Sequence, residues 1–165
     1  MNPNGYKAMP LKRILIPKVN SEELRPLGIP TIRDRAVQAV YHLAVDPVVE
    51  TNSDLNSYGF RKGRSPHDAI TQLRNGLDKM NSPQYILEAD IAKCFLLRTR
   101  NKPRFLVRSK KHTPICDKHV LEEWLKSGYI FEGRYHKTIE GTPQGGIISP
   151  MLCNVALNGM EPMIR

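Results

Sequence analysis

The sequence predicts an α+β domain, and three features of the chain lead to this class. Short segments that alternate apolar and polar residues, typical of strands, occur near the N-terminus and again in the last third of the chain. Longer segments with apolar residues three or four apart, typical of amphipathic helices, separate them. Apolar residues make up 40% and charged residues 25% of the 165 residues, a balance typical of a globular domain.

The first fifty or so residues predict a β-hairpin followed by a helix. Leu11–Pro17 alternates like a strand, residues 19–23 are polar enough for a turn, and Leu24–Ile29 predicts the second strand. A helix is predicted over 33–50, because apolar residues recur there at a spacing of three and four. Pro47 is expected to kink or end this helix, since proline cannot donate a backbone hydrogen bond.

The middle of the chain predicts a capped helix and then a central strand. Ser65, Pro66 and Asp68 form an N-terminal capping signature. The apolar face of the helix comprises Ala69, Ile70, Leu73, Leu77 and Met80. Residues 85–91 are mostly apolar, and we expect them to form a central strand with Asp90 near its end.

The last third of the chain predicts two helices separated by a hairpin. Asp117 is expected to cap a short helix whose apolar side chains point inward, and Gly128 to end it. Residues 129–139 predict a hairpin. Ser149 is the expected N-cap of the final helix, with Pro150 as its first residue.

A glycine-rich loop, EGTPQGG at residues 140–146, precedes the final helix and is typical of a segment that binds a ligand. Glycine lacks the side chain that would keep a flat ligand away from the backbone. Gln144 is the one amide side chain in the loop. An ordinary turn before a helix has a similar composition, so these residues alone leave both interpretations open.

The positive charge of the chain is concentrated in one segment. The net charge is +9, and eight of the 25 basic residues lie between Ile91 and Cys116, where there is no acid. Such a segment favours nucleic acid as a partner, because clustered Lys and Arg side chains bind phosphates. The rest of the chain is close to neutral.

The cysteines and the hydropathy of the chain indicate in which cellular compartment the protein is located. The three cysteines are widely spaced, which favours free thiols in a reducing compartment. No apolar segment approaches the roughly 20 residues of a membrane span, and no signal peptide is visible. We expect a protein that is not secreted and does not bind membranes, located in a bacterial cytoplasm or an organellar matrix. A zinc site at Cys94, His112, Cys116 and His119 is a minor alternative, because their spacing is irregular.

Four segments occur in a characteristic order: RPLGIPTIRDR from Arg25, SYGFRKGRSPHDAI from Ser57, LEADIAKCF from Leu87, and the GTPQGG loop. In sequence and order they resemble the fingers and palm of group II intron reverse transcriptases, the intron-encoded maturase family. The resemblance implies the fingers and an incomplete palm of a right-hand polymerase. Residues 1–82 correspond to the fingers and residues 83–165 to part of the palm.

The resemblance implies that Asp90 is a catalytic residue that binds Mg²⁺, with the backbone carbonyl of Ile91 beside it. Nucleotide polymerisation is an in-line phosphoryl transfer assisted by two metal ions, and Mg²⁺ prefers carboxylate oxygens. The alternative for Asp90 is that it simply caps the end of a strand.

The resemblance also implies contacts with the nucleotide and the template. Phe95 corresponds to the ring that abuts the sugar and excludes a 2′-hydroxyl, with a plain core residue as the alternative. The expected nucleotide-binding residues are Lys18, Arg25, Phe95, Gln144 and Gly145. The expected residues facing the RNA template are Arg61, Lys62 and Arg64, for which a solvated loop is the alternative.

The sequence departs from the family pattern in two places. After Phe95 the match is lost, and Leu96 stands where the family has another aspartate. Residues 96–111 are therefore either a basic insertion that binds RNA or the product of a shifted reading frame. The 165 residues also contain no YADD turn, which supplies the other catalytic aspartates of the family. One carboxylate cannot hold two metal ions, so we expect no polymerase activity from this chain alone.

These observations predict part of an RNA-directed DNA polymerase involved in intron splicing and mobility. Its partners are expected to be intron RNA, a DNA primer or target, and dNTPs. An incomplete palm would expose a sheet edge, so self-association is also expected. Two alternatives remain open, a non-catalytic RNA-binding splicing cofactor and a gene remnant without a function of its own.

Overall fold

The computed structural model describes residues 5–20, 22–90, 117–138 and 145–160 of the chain. The strands in these residues are β1 (Leu11–Pro17), β2 (Leu24–Ile29), β3 (Tyr129–Phe131) and β4 (Arg134–His136). The helices are α1 (Ile32–Asn52), α2 (Pro66–Leu77), α3 (Lys118–Lys126) and α4 (Ser149–Leu157). In this part of the chain, no helix has the length and apolar content needed to cross a membrane.

The predicted N-terminal hairpin is confirmed. β1 and β2 are antiparallel, from the pair Lys12 and Ile29 to the pair Pro17 and Leu24. In the turn, the backbone N–H of Lys18 donates to the carbonyl oxygen of Glu23 at 3.0 Å. The hairpin therefore places the side chains of alternate β2 residues on the same face of the sheet.

The sheet has the strand order β2-β1-β3-β4, and β3 runs parallel to β1. The parallel register pairs Leu11 with Tyr129, and the N–H of Leu11 donates to the carbonyl oxygen of Gly128 at 3.0 Å. β3 and β4 form the predicted second hairpin, which turns at Glu132 and Gly133 with φ values of 50° and 76°. Two positive φ values match the twist of the flanking strands. The sheet thus joins hairpins from distant parts of the sequence.

Helix α1 continues through Pro47 to Asn52, so of the two expected effects of this proline, a kink or an end, the end is wrong. The proline costs one backbone hydrogen bond, since it has no N–H to donate to the preceding turn. Val45 and Val49 are buried on either side of it. Their burial in the core favours a helix that continues across the proline.

The core lies between α1, α3, α4 and the segment before β1, and Tyr6 is near its centre. The hydroxyl of Tyr6 donates to Oδ1 of Asp34 at 2.6 Å and accepts from Nε1 of Trp124 at 2.8 Å. Asp34 also accepts from the hydroxyl of Thr31 at 2.7 Å and the N–H of Met9 at 3.2 Å. These bonds satisfy a carboxylate that would otherwise be costly to bury.

Burial, followed by the hydrogen bond to Asp34, raises the pKa of Tyr6. The raised pKa favours the protonated hydroxyl, which is the form that donates to Asp34.

Helix α2 has the predicted capping box, with the hydroxyl and N–H of Ser65 bonded to Asp68. No residue of α2 is buried, and the large apolar side chains Ile70, Leu73 and Leu77 of the predicted face are exposed. The capping prediction is confirmed because the cap is a local interaction.

The prediction of a central strand over 85–91 is wrong for the residues described. Residues 83–90 form no strand, and the side chains of Tyr85, Ile86 and Leu87 are largely exposed. A strand requires a neighbour that accepts its backbone hydrogen bonds, and none of the described strands pairs with this segment. Its apolar composition alone does not supply such a neighbour.

The final helix begins one residue earlier than predicted. Ser149 is its first residue rather than its N-cap, and Ile148 occupies the N-cap with φ −83° and ψ −15°. The N–H of Ser149 donates to the carbonyl oxygen of Gly146 at 3.3 Å. This tight turn brings the backbone into helical geometry before Pro150, which is tolerated in the first turn.

Candidate functional site

The described end of the glycine-rich loop lies directly against strand β2. Gly145 has a φ of +124°, and a Cβ built on it would lie 2.6 Å from the carbonyl oxygen of Gly28. The same Cβ would lie 3.1 Å from Cδ1 of Leu27. Glycine is required here on two counts, because the φ is unfavourable for other residues and a backbone atom fills the space.

Two of the predicted nucleotide-binding residues, Arg25 and Gly145, meet the same face of the sheet. Leu27, which Gly145 contacts, is two residues from Arg25 along β2, so their side chains point to the same side. Two residues of a strand span roughly 7 Å. Arg25 is exposed, so an accessible cation lies on the strand face that Gly145 contacts.

Gln38 is a site residue that sequence reasoning missed. The residue is 3% exposed, and its Oε1 accepts from the N–H of Ile147 at 2.9 Å. The signal was present, because Asp34 and Gln38 continue the spacing of the buried α1 residues Val45 and Val49. Polar residues on a core face indicate specific internal hydrogen bonds.

Lys18, the second predicted phosphate-binding cation, is at the tip of the β1–β2 hairpin. Its Nζ forms an ion pair with Glu23 on the other side of the turn, and both side chains are exposed. The hydrogen bond from Lys18 lowers the pKa of Glu23. The pair is weak because water competes for both charges.

The loop between α1 and α2 contains the three predicted template-facing cations, and two of them hold the loop to α1. The side chain of Arg61 is 5% exposed. Its Nε is 2.7 Å from Oε2 of Glu50, and its Nη1 is 2.7 Å from the carbonyl oxygen of Asp54. Arg64 donates from Nη2 to Oε1 of Glu50 at 3.1 Å and from Nη1 to the carbonyl oxygen of Ser57 at 2.9 Å. Hydrogen bonds from Arg61, the larger cause, and Arg64 lower the pKa of Glu50.

Lys62 differs from its two neighbours in exposure. Its Nζ is 2.8 Å from Oδ2 of Asp46, and its side chain is 66% exposed. Of the three loop cations it is therefore the one most accessible to an external phosphate.

The same loop is also tied to helix α4. Nδ2 of Asn154 donates to the carbonyl oxygen of Gly59 at 2.8 Å, and Nδ2 of Asn158 donates to that of Asn52 at 2.8 Å. The N–H of Asp54 donates to Oδ1 of Asn158 at 3.0 Å. The loop is thus fixed relative to the helix that follows the glycine loop.

The structure describes only some of the remaining predicted site residues. Asp90 is exposed at the end of a described segment. Ile91, Phe95, Gln144 and the segment 96–111 lie outside the described residues. No group of three His, Cys, Asp or Glu side chains able to hold a metal ion occurs within 5–20, 22–90, 117–138 or 145–160.

The zinc alternative involves one described residue. Nε2 of His119 is 3.1 Å from the carbonyl oxygen of Tyr6, a contact within the fold. Cys94, His112 and Cys116 lie outside the described residues.

The described elements form a mixed α/β domain in which the glycine loop packs against strand β2. Comparison with known proteins identifies its family. Residues 16–165 match the family described as reverse transcriptase (RNA-dependent DNA polymerase). The chain therefore belongs to the reverse transcriptase family.

Named relatives cover nearly the whole chain. Group II intron-encoded protein LtrA of Lactococcus lactis subsp. cremoris is 33% identical over 162 residues, 96% of this chain and 26% of LtrA. Protein YkfC of Escherichia coli (strain K12) is 36% identical over 164 residues, 97% of this chain and 42% of YkfC. The putative COX1/OXI3 intron 1 protein of Saccharomyces cerevisiae is 35% identical over 156 residues, 92% of this chain and 18% of that protein. The chain thus spans about a quarter of LtrA.

Proposed function

We propose that this chain forms the fingers and part of the palm of an RNA-directed DNA polymerase that acts with a group II intron. Residues 1–82 correspond in this proposal to the fingers and residues 83–165 to the palm portion. The observation that carries the proposal is the contact of Gly145 with the face of β2 that bears Arg25. Membership of the family and relatives with intron-encoded names support it.

The incoming dNTP is proposed to lie between β2 and the glycine loop. Lys18 and Arg25 bind the triphosphate, because cations offset the negative charge of the phosphate oxygens. Gln144 and Gly145 contact the nucleotide from the loop, where the missing side chain permits a close approach. Phe95 abuts the sugar and excludes a 2′-hydroxyl.

Asp90 and the carbonyl of Ile91 are the proposed ligands of Mg²⁺. When bound, the ion would stabilise the negative charge that develops on the phosphoryl group. The donor set, one carboxylate and one carbonyl, has the oxygen chemistry that Mg²⁺ prefers. Among the described residues, Asp90 does not belong to a group of three side chains that could hold a metal ion.

The RNA template is proposed to contact the loop between α1 and α2. Lys62 is the main phosphate contact there, because its charge is exposed. Arg61 and Arg64 keep the loop in place while contributing positive potential. The proposed partners are group II intron RNA and a DNA primer or target, in a bacterial cytoplasm or an organellar matrix.

Ternary-complex formation tests this function. The 165-residue chain is mixed with a fluorescent RNA template annealed to a DNA primer that ends in a dideoxynucleotide, which prevents extension. Fluorescence anisotropy then measures the affinity for the duplex with and without Mg²⁺ and each dNTP. We expect only the complementary dNTP to tighten the complex.

The Arg25→Ala variant should lose this dNTP effect. Arg74→Ala is the matched control, because Arg74 is an exposed arginine on α2, remote in sequence from the glycine loop. Wild-type protein that binds the duplex equally with every dNTP would contradict the proposal.

The second candidate is a non-catalytic RNA-binding splicing cofactor, which the net charge of +9 favours. It predicts salt-sensitive RNA binding without any dNTP effect. The same titration separates the two candidates, and a chain that binds neither RNA nor dNTP would favour a gene remnant.

A further inference from the structure

We infer that Gln38 is a positioning residue for the nucleotide site, acting through the backbone of the glycine loop. The inference rests on the proposed function, because it assigns Gln38 a part in binding a deoxynucleoside triphosphate. Gln38 itself is buried under the loop and does not contact the nucleotide in this proposal.

The hydrogen bond from Ile147 to Gln38 connects parts of the chain that are 109 residues apart. Oε1 of Gln38 is 2.9 Å from the backbone nitrogen of Ile147, which is two residues from Gly145. A buried amide oxygen that loses its hydrogen-bond donor destabilises the folded state, because it is also shielded from water. The bond therefore strongly favours one position of the loop relative to α1.

Gly146 is fitted to this arrangement. A Cβ built on Gly146 would lie 3.1 Å from Oε1 of Gln38 and 2.7 Å from Oγ of Ser149. A side chain at this position would push Oε1 of Gln38 away from the backbone N–H of Ile147, from which it accepts a hydrogen bond. Gly146 and Gln38 are thus a matched pair.

The loop is held from two sides. The carbonyl of Gly28 lies against Gly145, and the side chain of Gln38 lies against Gly146 and Ile147. Gly28 belongs to β2, the strand that bears Arg25, so the two contacts hold residues 145–147 against that strand.

A nucleotide that uses both Arg25 and the glycine loop benefits from this arrangement. Its triphosphate and its nucleoside must be bound at the same time, and residues 145–147, already held by these contacts, do not have to be ordered during binding. Loss of the Gln38 contact should therefore weaken nucleotide binding more than RNA binding.

The test compares two substitutions of Gln38 in the 165-residue chain. Gln38→Met keeps the approximate shape of the side chain and removes the acceptor. Gln38→Glu keeps an oxygen that accepts from the N–H of Ile147, whether or not the carboxyl is protonated. Gln72→Met is the matched control, because Gln72 is an exposed glutamine on α2.

Three quantities are measured: the complementary dNTP concentration that half-saturates the ternary complex, the duplex affinity without dNTP, and the exchange rate of the Ile147 amide. For Gln38→Met we expect a half-saturating dNTP concentration about five- to tenfold higher, unchanged duplex affinity and faster exchange. The three quantities measured for Gln38→Glu should lie closer to the wild-type values, and those measured for Gln72→Met should equal the wild-type values.

The outcomes separate this inference from the proposed function. If wild type binds the complementary dNTP and Gln38→Met binds it equally well, the inference is wrong and the proposed function stands. If wild type shows no dNTP effect, the proposed function fails and the inference fails with it.

A second variant covers the case in which Gln38→Met does not fold. Gly146→Ala disturbs the same contact from the loop side and should also weaken dNTP binding while leaving duplex affinity unchanged. Wild-type dNTP binding by Gly146→Ala would overturn the inference.

Discussion

Arg61 and Glu50 form a two-point ion pair, with Nε 2.7 Å from Oε2 and Nη2 2.6 Å from Oε1. This is the bidentate geometry in which arginine binds a carboxylate most strongly. The pair joins the loop before α2 to the last turn of α1, and the side chain of Arg61 is only 5% exposed. The charge of Arg61 thus stabilises the loop, while Lys62 beside it remains exposed.

Arg61→Lys is expected to destabilise the protein even though it keeps the charge. A lysine cannot reproduce the planar fork, so at least one of the bonds to Glu50 and the loop carbonyls is lost. We expect the free energy of unfolding in urea to fall by about 1–2 kcal/mol. Lys62→Arg is the control and should change it by less than about 0.5 kcal/mol. An Arg61→Lys variant as stable as wild type would show that the fork is not needed.

Lys62→Ala is expected to weaken RNA binding with little effect on stability. Loss of one phosphate contact should reduce the slope of log K against log salt by about one. Lys126→Ala is the matched control, since Lys126 is 71% exposed and forms a similar ion pair with Glu122 at 2.9 Å. The measurement is a salt titration of RNA affinity. Equal slopes for both variants would rule out Lys62 as a specific contact.

The loop between α1 and α2 is expected to loosen in acid. Arg61 and Arg64 lower the pKa of Glu50 in the folded protein, so folding favours its ionised form. The stabilisation is present above the pKa of an unfolded glutamate, about 4.3, and is lost as the pH falls through the lower folded value. The protection of the loop amides against hydrogen exchange should therefore fall between about pH 6 and 3. Glu50→Gln should lose this pH dependence, and persistence of the same profile in that variant would contradict the assignment.

Tyr6→Phe is expected to lower the free energy of unfolding by about 2–3 kcal/mol. The variant removes the donor to Asp34 and leaves Nε1 of Trp124 without its acceptor in the core. Urea unfolding measures the change. Tyr85→Phe is the control, because Tyr85 is exposed and its hydroxyl is accessible to water. A change below about 0.5 kcal/mol for Tyr6→Phe would mean that water or rearrangement replaces these bonds.

Gly145→Ala is expected to destabilise the protein by about 1–3 kcal/mol and to weaken dNTP binding. The added Cβ would lie 2.6 Å from the carbonyl oxygen of Gly28, a backbone atom that belongs to a paired strand and cannot easily move. Gly59→Ala is the control, because a Cβ on Gly59 meets nothing within 4 Å. Thermal unfolding and the ternary-complex titration report the two effects. Wild-type values for Gly145→Ala would show that the loop can shift away from β2.

Features that depend on neighbouring residues were predictable. The strand periods of the first hairpin, the capping box of Ser65 and Asp68, and the cap at Asp117 all involve residues within a few positions of one another. Residues 85–90, the described part of the strand predicted over 85–91, form no strand, because a strand depends on a partner that its own residues do not specify. The predicted site residues Arg25 and Gly145 were found from motifs, yet their placement on one face of the sheet was not predictable from spacing.

The sequence by itself determined the α+β class, the order and most bounds of the elements, and the motifs of the reverse transcriptase family. Local hydrogen bonds and side-chain periodicity are sufficient for these. Only the tertiary structure decided that β1 pairs with β3, that Gln38 accepts from Ile147, and that the charge of Arg61 is matched by Glu50. These contacts join separate elements, and which side chains meet depends on how the whole core packs.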